Sequence, residues 1–378
     1  MIRRALALVL TAALLFLSAG CWNYRGLDQL SIVVGIAVDY DKQNGLFQVS
    51  YELVDLPGTS KEAAIKSKII SATGQTLFDA ARNAKKKEAD RLFFGAAQVL
   101  IIGHKLVEEM GVLRVVDWIL RDAECREALC VAISQEDTAS EILVSSEKMS
   151  GMMSAILREI ILEDNEHTAT TPHVELFQIF NELNTPVYCV AIPVLHRVRG
   201  ETLDVTELNG SAIIHEDRLV GYLSPEMGRY LLMLQNDMKG GRITLPIPVS
   251  PGDFVSLEVI EASTKIGYRR EGETPAFDIK ATVIVALQEN NAHVDLMDHF
   301  ALKDLEDKAA KFIEENIRAL VHQAQHEMKV DFLELGEIIY RRDYKYWEKI
   351  KDNWTDIFQT VPVNVSARVV IRNSGFIK

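Results

Sequence analysis

The side chains that could carry chemistry are few, and their spacing is the first thing to test. His322 and His326 stand four residues apart in a run of helical periodicity. Two imidazoles at that interval share a helix face and can bind zinc when a third ligand lies near. In the zinc-protease pattern a Glu follows the first His, but Gln323 stands there, and the pair reads as solvated on a polar face. His167 and His173 sit among Glu163, Asp164 and Glu166. No ligand register is defined, so this stretch reads as a solvated acidic loop. Cys125, Cys130 and Cys189 are odd in number and fit no zinc spacing. They read as buried free thiols, a Cys125–Cys130 bridge being awkward within one helix-to-strand segment. There is no Gly-rich phosphate loop and no Gly-x-Ser-x-Gly elbow. The expectation is a non-enzyme without metal or cofactor.

Two charged clusters remain. Lys85-Lys86-Lys87, near Arg82 and Arg91, reads as a solvated helix end favoured by the macrodipole, or as a docking spot for an anionic partner. Arg121-Asp122-Ala123-Glu124-Cys125-Arg126 places opposite charges where a helix meets a strand, which suits a structural ion-pair network. Across the whole chain acids dominate, with a formal net charge of −13. Such a surface repels phosphate backbones and anionic headgroups, so nucleic acid is excluded as a partner and membrane attachment by a basic patch is disfavoured.

The N-terminus supplies a different attachment. Arg3-Arg4 precede a continuous apolar stretch over residues 5–17, broken only by Thr11, then Ser18-Ala19-Gly20 and Cys21. That order is a secretory signal, and the run is short for a spanning helix, which needs about 20 apolar residues. It resembles a bacterial lipobox, with Ser18 where Leu is usual and Leu17 one step earlier. The resemblance implies lipidation at Cys21, the matching Cys taking a diacylglycerol before cleavage. Two acyl chains on one residue anchor stably. An uncleaved anchor helix is the alternative.

These features must be positioned by a mixed set of elements. Residues 32–38 read as a strand buried on both faces, followed by an Asn-Gly turn at 41–45 and a returning alternating strand from Phe47 to Leu53. Helix and strand then alternate: helix 75–87 with Leu77, Phe78, Ala81 and Ala84 inward, strand 99–102, helices 104–110 and 112–120, strand 129–133, a mostly helical 138–163, helix 174–183 and strand 187–195. A turn-like stretch at 200–203 marks one boundary and Pro246, Pro248 and Pro251 a second. Between them lie a hairpin (211–214 and 219–223) and a helix opened by Ser224-Pro225-Glu226. Strands at 255–262, 277–287 and 361–371 follow. The clearest helix is 302–328, where Leu305, Ala309, Phe312, Ile313, Ile317, Leu320, Ala324 and Met328 form one stripe. The expected fold is α+β and multi-domain: mixed β-sheets flanked by helices, with a long amphipathic helix in the C-terminal domain. The expected division is a signal at 1–20, an N-terminal α/β domain at 21–200, a small middle domain at 201–250 and a C-terminal α+β domain at 251–378.

In order along the chain, Cys21-Trp22-Asn23-Tyr24-Arg25, Gly35-Ile36-Ala37-Val38-Asp39-Tyr40, Arg91-Leu92-Phe93-Phe94-Gly95, Leu100-Ile101-Ile102-Gly103, Gly111, Asp117 and Arg121-Asp122 with Glu124 and Arg126 resemble the Ger(x)C family of spore germination lipoproteins. So do the hairpin Ser211-Ala212-Ile213-Ile214 and Leu219-Val220-Gly221-Tyr222-Leu223, and the closing set Asp331-Phe332, Leu335-Gly336, Trp347, Trp354 and Phe358. Ala96 stands where the family often has His, and Ala123 where Pro is common. The resemblance implies the C subunit of a nutrient germinant receptor, on the outer face of the inner spore membrane, working with two multi-spanning partners, the A and B subunits. It brings no catalytic residues. The competing reading is a solute-binding lipoprotein delivering a small ligand to a transporter, a class that usually shows two similar α/β lobes.

Overall fold

The computed structural model describes residues 29–55, 66–122, 124–144, 151–200, 204–247, 254–292 and 297–373, with residues 3, 4, 26 and 294. Cys21 and the apolar run before it lie outside the described residues, and so do the export signal and the lipidation site expected there.

Strands β1 (Leu30–Asp41) and β2 (Leu46–Asp55) pair antiparallel. Asp41 Oδ1 fixes their turn by accepting from the Gln43 and Asn44 amides at 2.9 and 3.2 Å. Beside β2 runs β3 (Lys66–Gly74), which sequence periodicity missed. It is an edge strand with little buried surface, so it needs no apolar alternation. Helix α1 (Leu77–Lys85) starts at Thr76, whose hydroxyl accepts from Asp79 N at 3.1 Å. It buries Leu77 and Ala84 as expected, with Ala81 packed against the core, but Ala80 takes the place of Phe78, which is 58% exposed. The stripe that meets the sheet is the one with small side chains.

The chain continues through β4 (Arg91–Phe93), β5 (Val99–Gly103), α2 (His104–Met110), α3 (Leu113–Leu120) and β6 (Cys130–Ser134). Then come α4 (Ser140–Leu143), α5 (Met153–His167), α6 (Leu176–Glu182), β7 (Cys189–Val198), β8 (Val205–His215) and β9 (Arg218–Leu223). Among the described residues these strands form one sheet in the order β3-β2-β1-β5-β6-β7-β8-β9, with β4 beside β1. Its centre, β1-β5-β6-β7, is parallel and its flanks are antiparallel. A parallel centre needs both faces covered, and the side chains alternate accordingly. Leu100, Ile102, Val131 and Ile133 join one core with α1, α2, α3 and α6. Val99, Ile101, Cys130 and Ala132 join another with α4 and α5. The hairpin expected to open a separate segment after residue 200 adds β8 and β9 to this same sheet.

Within 138–163, expected to be mostly helical, the chain forms α4 and then α5, and α5 runs on to His167. Glu52 of β2 explains the second start. It is fully buried, and its carboxylate accepts from the amides of Met153 and Ser154 at 2.7 and 2.8 Å and from the Ser154 hydroxyl. A carboxylate at that point satisfies orphan N–H groups and favours a helix N-terminus.

Helix α7 (Pro225–Gln235), capped by Ser224, leads to a second sheet of β10 (Arg242–Pro246), β11 (Phe254–Glu271), β12 (Thr274–Asn290) and β13 (Val363–Asn373). β11 and β12 are longer than the sequence suggests because their ends lack apolar alternation. β10 is a strand that the sequence pattern did not mark. The long helix is α8 (His299–His322), continued by a π-helical turn over Gln323–Met328. Leu305, Ala309, Ile313, Ile317, Leu320 and Ala324 are buried as expected. The helix also covers the β13 edge: Glu314 and Glu306 accept from the Ala367 and Ile371 amides, each at 3.0 Å. An unpaired strand edge is thereby protected. The π-turn presents buried Gln325, which donates to the carbonyls of Phe358 and Val361, both at 2.9 Å. Three short helices, α9 (Leu335–Arg342), α10 (Tyr344–Ile350) and α11 (Trp354–Phe358), close the structure. Their core is continuous with Val187, Cys189 and Ile213 of the first sheet region.

Leu320 is fully buried on the α8 stripe. Leu320→Asp should lower stability by about 3–5 kcal/mol, the cost of an unpaired buried charge. An unchanged urea midpoint would mean that this face of the helix is not the one packed inside.

Candidate functional site

The charged motifs converge on one cavity of about 300 Å³ between α1, α3 and the first sheet. Tyr51 of β2 and Leu92 of β4 belong to its inner wall, and Phe94, Trp118 and Ile119 are further apolar lining. Phe78, Ala81, Arg82 and Lys85 come from α1, and Asp122, Glu124 and Cys125 from the loop after α3. Tyr51 and Phe94 meet edge to face with centroids 5.3 Å apart.

The polar groups here fall into two sets. Most are satisfied within the protein. Arg91 pairs with Glu124, and the Glu124 amide donates to Asp122 Oδ1 at 3.0 Å. Lys85 Nζ donates to the carbonyls of Glu88 and Ala89 at 2.7 and 3.3 Å, closing the end of α1. Arg121 grips Asp117 through two bonds of 2.8 Å on the exposed side of α3. In place of the expected network within 121–126, Glu124 and Arg121 each pair with a residue outside the run, Arg91 and Asp117. The other set is less satisfied. Arg82 stacks over the exposed Phe78 ring, 4.8 Å from its centroid. The Tyr51 hydroxyl is buried with no hydrogen-bond partner in the structure. Burial pushes the Tyr51 phenol well above its ordinary range, so it stays a donor. Burial, then the charges of Asp122 and Glu124, push the Cys125 thiol up to about 12. The lining holds a thiol but no histidine, so it assembles no thiolate nucleophile.

A second convergence joins the closing motif. Asp331 is 4% exposed. Its carboxylate accepts from Leu335 N at 3.1 Å, Gly336 N at 2.6 Å and Trp354 Nε1 at 3.0 Å. Trp354 in turn meets Trp347 edge to face and Phe358 at a tilt, with centroids 5.7 and 5.9 Å away. A Cβ at Gly336 would lie 2.6 Å from Trp354 Nε1 and 2.8 Å from Val187, so only glycine lets α9 approach. Burial raises Asp331 to about 6 despite its three donors. Asp39, in the first-strand motif, behaves alike. It accepts from Ala139 N at 2.7 Å and Ser140 N at 3.4 Å at the start of α4, and burial raises it to about 6. A Cβ at Gly103 would stand 2.4 Å from its Oδ1. These motif positions are caps and clearances, not reactive groups.

The histidines do not assemble. His322 and His326 are both exposed, with rings 4.7 Å apart. His167 pairs with Glu163 at 3.2 Å on α5, while His173 turns to Cys130 Sγ at 3.1 Å. The supposed acidic loop is the end of a helix, where Asp164 accepts from the amides of Thr170 and Thr171 at 2.7 and 2.9 Å. Among the described residues no group of three His, Cys, Asp or Glu side chains is placed to hold a metal. Cys125, Cys130 and Cys189 are free thiols, as expected. Sequence reasoning missed Tyr51, Phe78 and Trp118. Tyr51 looked like any inward strand residue, and nothing in sequence marks a hydroxyl left without a partner.

Two mixed sheets share a core, and the motif acids cap the helices packed on them. Residues 23–197 match the family model described as spore germination protein N-terminal domain. Residues 209–375 match the one described as spore germination B3/GerAC like, C-terminal. The chain belongs to the Ger(x)C family, the germinant-receptor C subunits, and so has a role in spore germination. It is 23% identical to spore germination protein KC of Bacillus subtilis (strain 168), over 99% of this chain and 97% of that one. It is 22% identical to spore germination protein B3 of the same organism, over 94% of each. The crystal structure of the GerBC protein aligns with a TM-score of 0.59 at 19% identity, covering 90% of this chain and 99% of that one, a likeness of fold.

The folded pKa of Asp331, raised from 3.8 to about 6, means that the folded chain takes up this proton before the unfolded chain does. Its contribution to stability is greatest below about pH 4, shrinks as pH rises to about 6, and is constant above. Relative to Asp331→Asn, the wild type should lose up to about 3 kcal/mol between pH 4 and pH 7 in urea unfolding. A difference that stays flat would mean the folded carboxylate is charged throughout. Cys125 should react with iodoacetamide at pH 8 roughly tenfold or more slowly than glutathione. Equal rates, read by peptide mass spectrometry, would contradict a half-buried thiol held protonated.

Proposed function

We propose that this chain is the lipid-anchored subunit of a nutrient germinant receptor, held through Cys21 at the outer face of the inner spore membrane. It acts by protein–protein contact with two multi-spanning subunits of the A and B types, and it is not an enzyme. The observation that carries this reading is the match of both family halves, in order, over residues 23–197 and 209–375, the first beginning two residues after Cys21. Two further observations support it. The net charge of −13 disfavours attachment through a basic patch. Among the described residues no helix is long and apolar enough to cross a membrane. In this reading residues 1–20 are removed on export, and 21–200, 201–250 and 251–378 are the N-terminal, middle and C-terminal parts of the anchored protein.

Two measurements test it. Cys21→Ala should leave the soluble fold intact, by circular dichroism, and abolish membrane retention at high salt without the partner subunits. A variant that stays with the membrane would remove the lipid anchor from the reading. Tagged protein recovered from detergent-solubilised spore membranes should bring two multi-spanning proteins in constant ratio. Recovery of a transporter permease would favour the solute-delivery alternative.

A further inference from the structure

The α1–α3 cavity has a use that receptor membership does not supply. Three observations bear on its occupant. Its volume of about 300 Å³ is at the lower end of the range for small-molecule sites. Its walls are rich in aromatic and aliphatic side chains, Phe78, Phe94, Trp118, Leu92 and Ile119. And Tyr51, fully buried, keeps a hydroxyl with no partner. Leaving such a hydroxyl unmatched costs about 1–3 kcal/mol, so a group that accepts its hydrogen bond recovers that loss. The groups that act electrostatically on Tyr51 are Cys125, Asp122 and Arg82, all of which line the cavity. Tyr51 is itself one of the residues that line this space.

The charges indicate which end of a ligand goes where. Glu124 is matched by Arg91, whereas Asp122 accepts only the neutral Glu124 amide, so among the described residues the lining holds one carboxylate without a cation beside two cations without a carboxylate. On the α1 wall Arg82 rests on the Phe78 ring, and Lys85 binds only neutral carbonyls. Both cations keep their charge unmatched by a carboxylate among the described residues. The wall with spare positive charge and the orphaned phenol are both donors. They ask for an acceptor, and an anionic one gains most from the guanidinium. The aromatic walls ask for a flat apolar body, which the exposed Phe78 can cover from the mouth.

We propose that this cavity binds a small aromatic carboxylate, its ring between Phe94 and Trp118 and its carboxylate shared by Arg82 and the Tyr51 hydroxyl. The site belongs to this chain alone and needs no partner subunit.

The test uses the full-length chain in nonionic detergent with three fluorine probes of similar size: 4-fluorobenzoate, 4-fluorobenzyl alcohol and 4-fluorobenzylamine. Line broadening of the fluorine signal reports binding, with detergent alone as the blank. The benzoate should broaden most and the amine least. Arg82→Leu, at an exposed position, should reduce the benzoate to the level of the alcohol. Tyr51→Phe should weaken benzoate binding about tenfold while leaving the melting temperature equal or higher, since it removes a buried hydroxyl that has no partner. Broadening of the amine equal to that of the benzoate, no broadening by any probe, or binding that neither variant changes would each overturn the proposal. None of these outcomes touches Cys21 or the partner subunits, so the receptor reading would stand.

Discussion

The helices of this protein are held to its sheets by carboxylates buried at helix starts. Glu52 anchors α5, Asp39 anchors α4 and Asp331 anchors α9, each by accepting two backbone amides. Asp217 does the same for α3 from the β8–β9 turn, accepting from Leu113 N. A helix start leaves four amides without partners, and inside a protein those amides cannot reach water. A carboxylate placed at the helix start, from a strand for Glu52 and Asp39, from a turn for Asp217 and from the preceding loop for Asp331, solves that problem. The solution has a cost, visible in the raised pKa values of Asp39 and Asp331: burial opposes the charge more than the amides support it. The gain is geometric. The Asp39, Glu52 and Asp217 caps tie together residues at least 100 positions apart, so those helices start where the sheet supplies the acid, whereas Asp331 caps α9 from four residues upstream.

That constraint accounts for the motif residues better than chemistry does. Gly103 leaves room for Asp39, and Gly336 leaves room for the indole of Trp354 beside Asp331. The second node also spans the two halves of the chain. Val187 precedes β7 and packs against α9, in a core that takes in both sheets. A disturbance at the closing helices therefore reaches the edge of the nine-stranded sheet through packed side chains. The α1–α3 cavity lies on the same sheet but on its opposite flank, beside β2 and β4.

Much of the fold was legible because burial leaves periodic traces. Residues 32–38 and 99–102 carry uninterrupted apolar runs because they lie in the parallel centre, covered on both faces. The α8 stripe repeats at steps of three and four because one face meets β13. β3 and β10 left no such trace, the first an edge strand that is largely solvated, the second only five residues long. On α1 Leu77 and Ala84 face inward as the pattern suggests, but Phe78 was ranked by its apolar surface, whereas the sheet accepts Ala80.

The sequence by itself determined the balance of charge, the free thiols, the strand and helix periods, the turn and cap residues at Asn44-Gly45 and Ser224-Pro225, and the family. These are local or compositional properties, set by neighbours within a few residues. The tertiary structure alone decided which strands are neighbours, that β8 and β9 belong to the first sheet, which acids become helix caps, and that Tyr51, Arg82 and Trp118 line one cavity. Each of these depends on contacts between residues dozens of positions apart. No periodicity within one segment specifies such a contact, because the same alternating strand can lie beside many partners, and only the packing of the whole selects one.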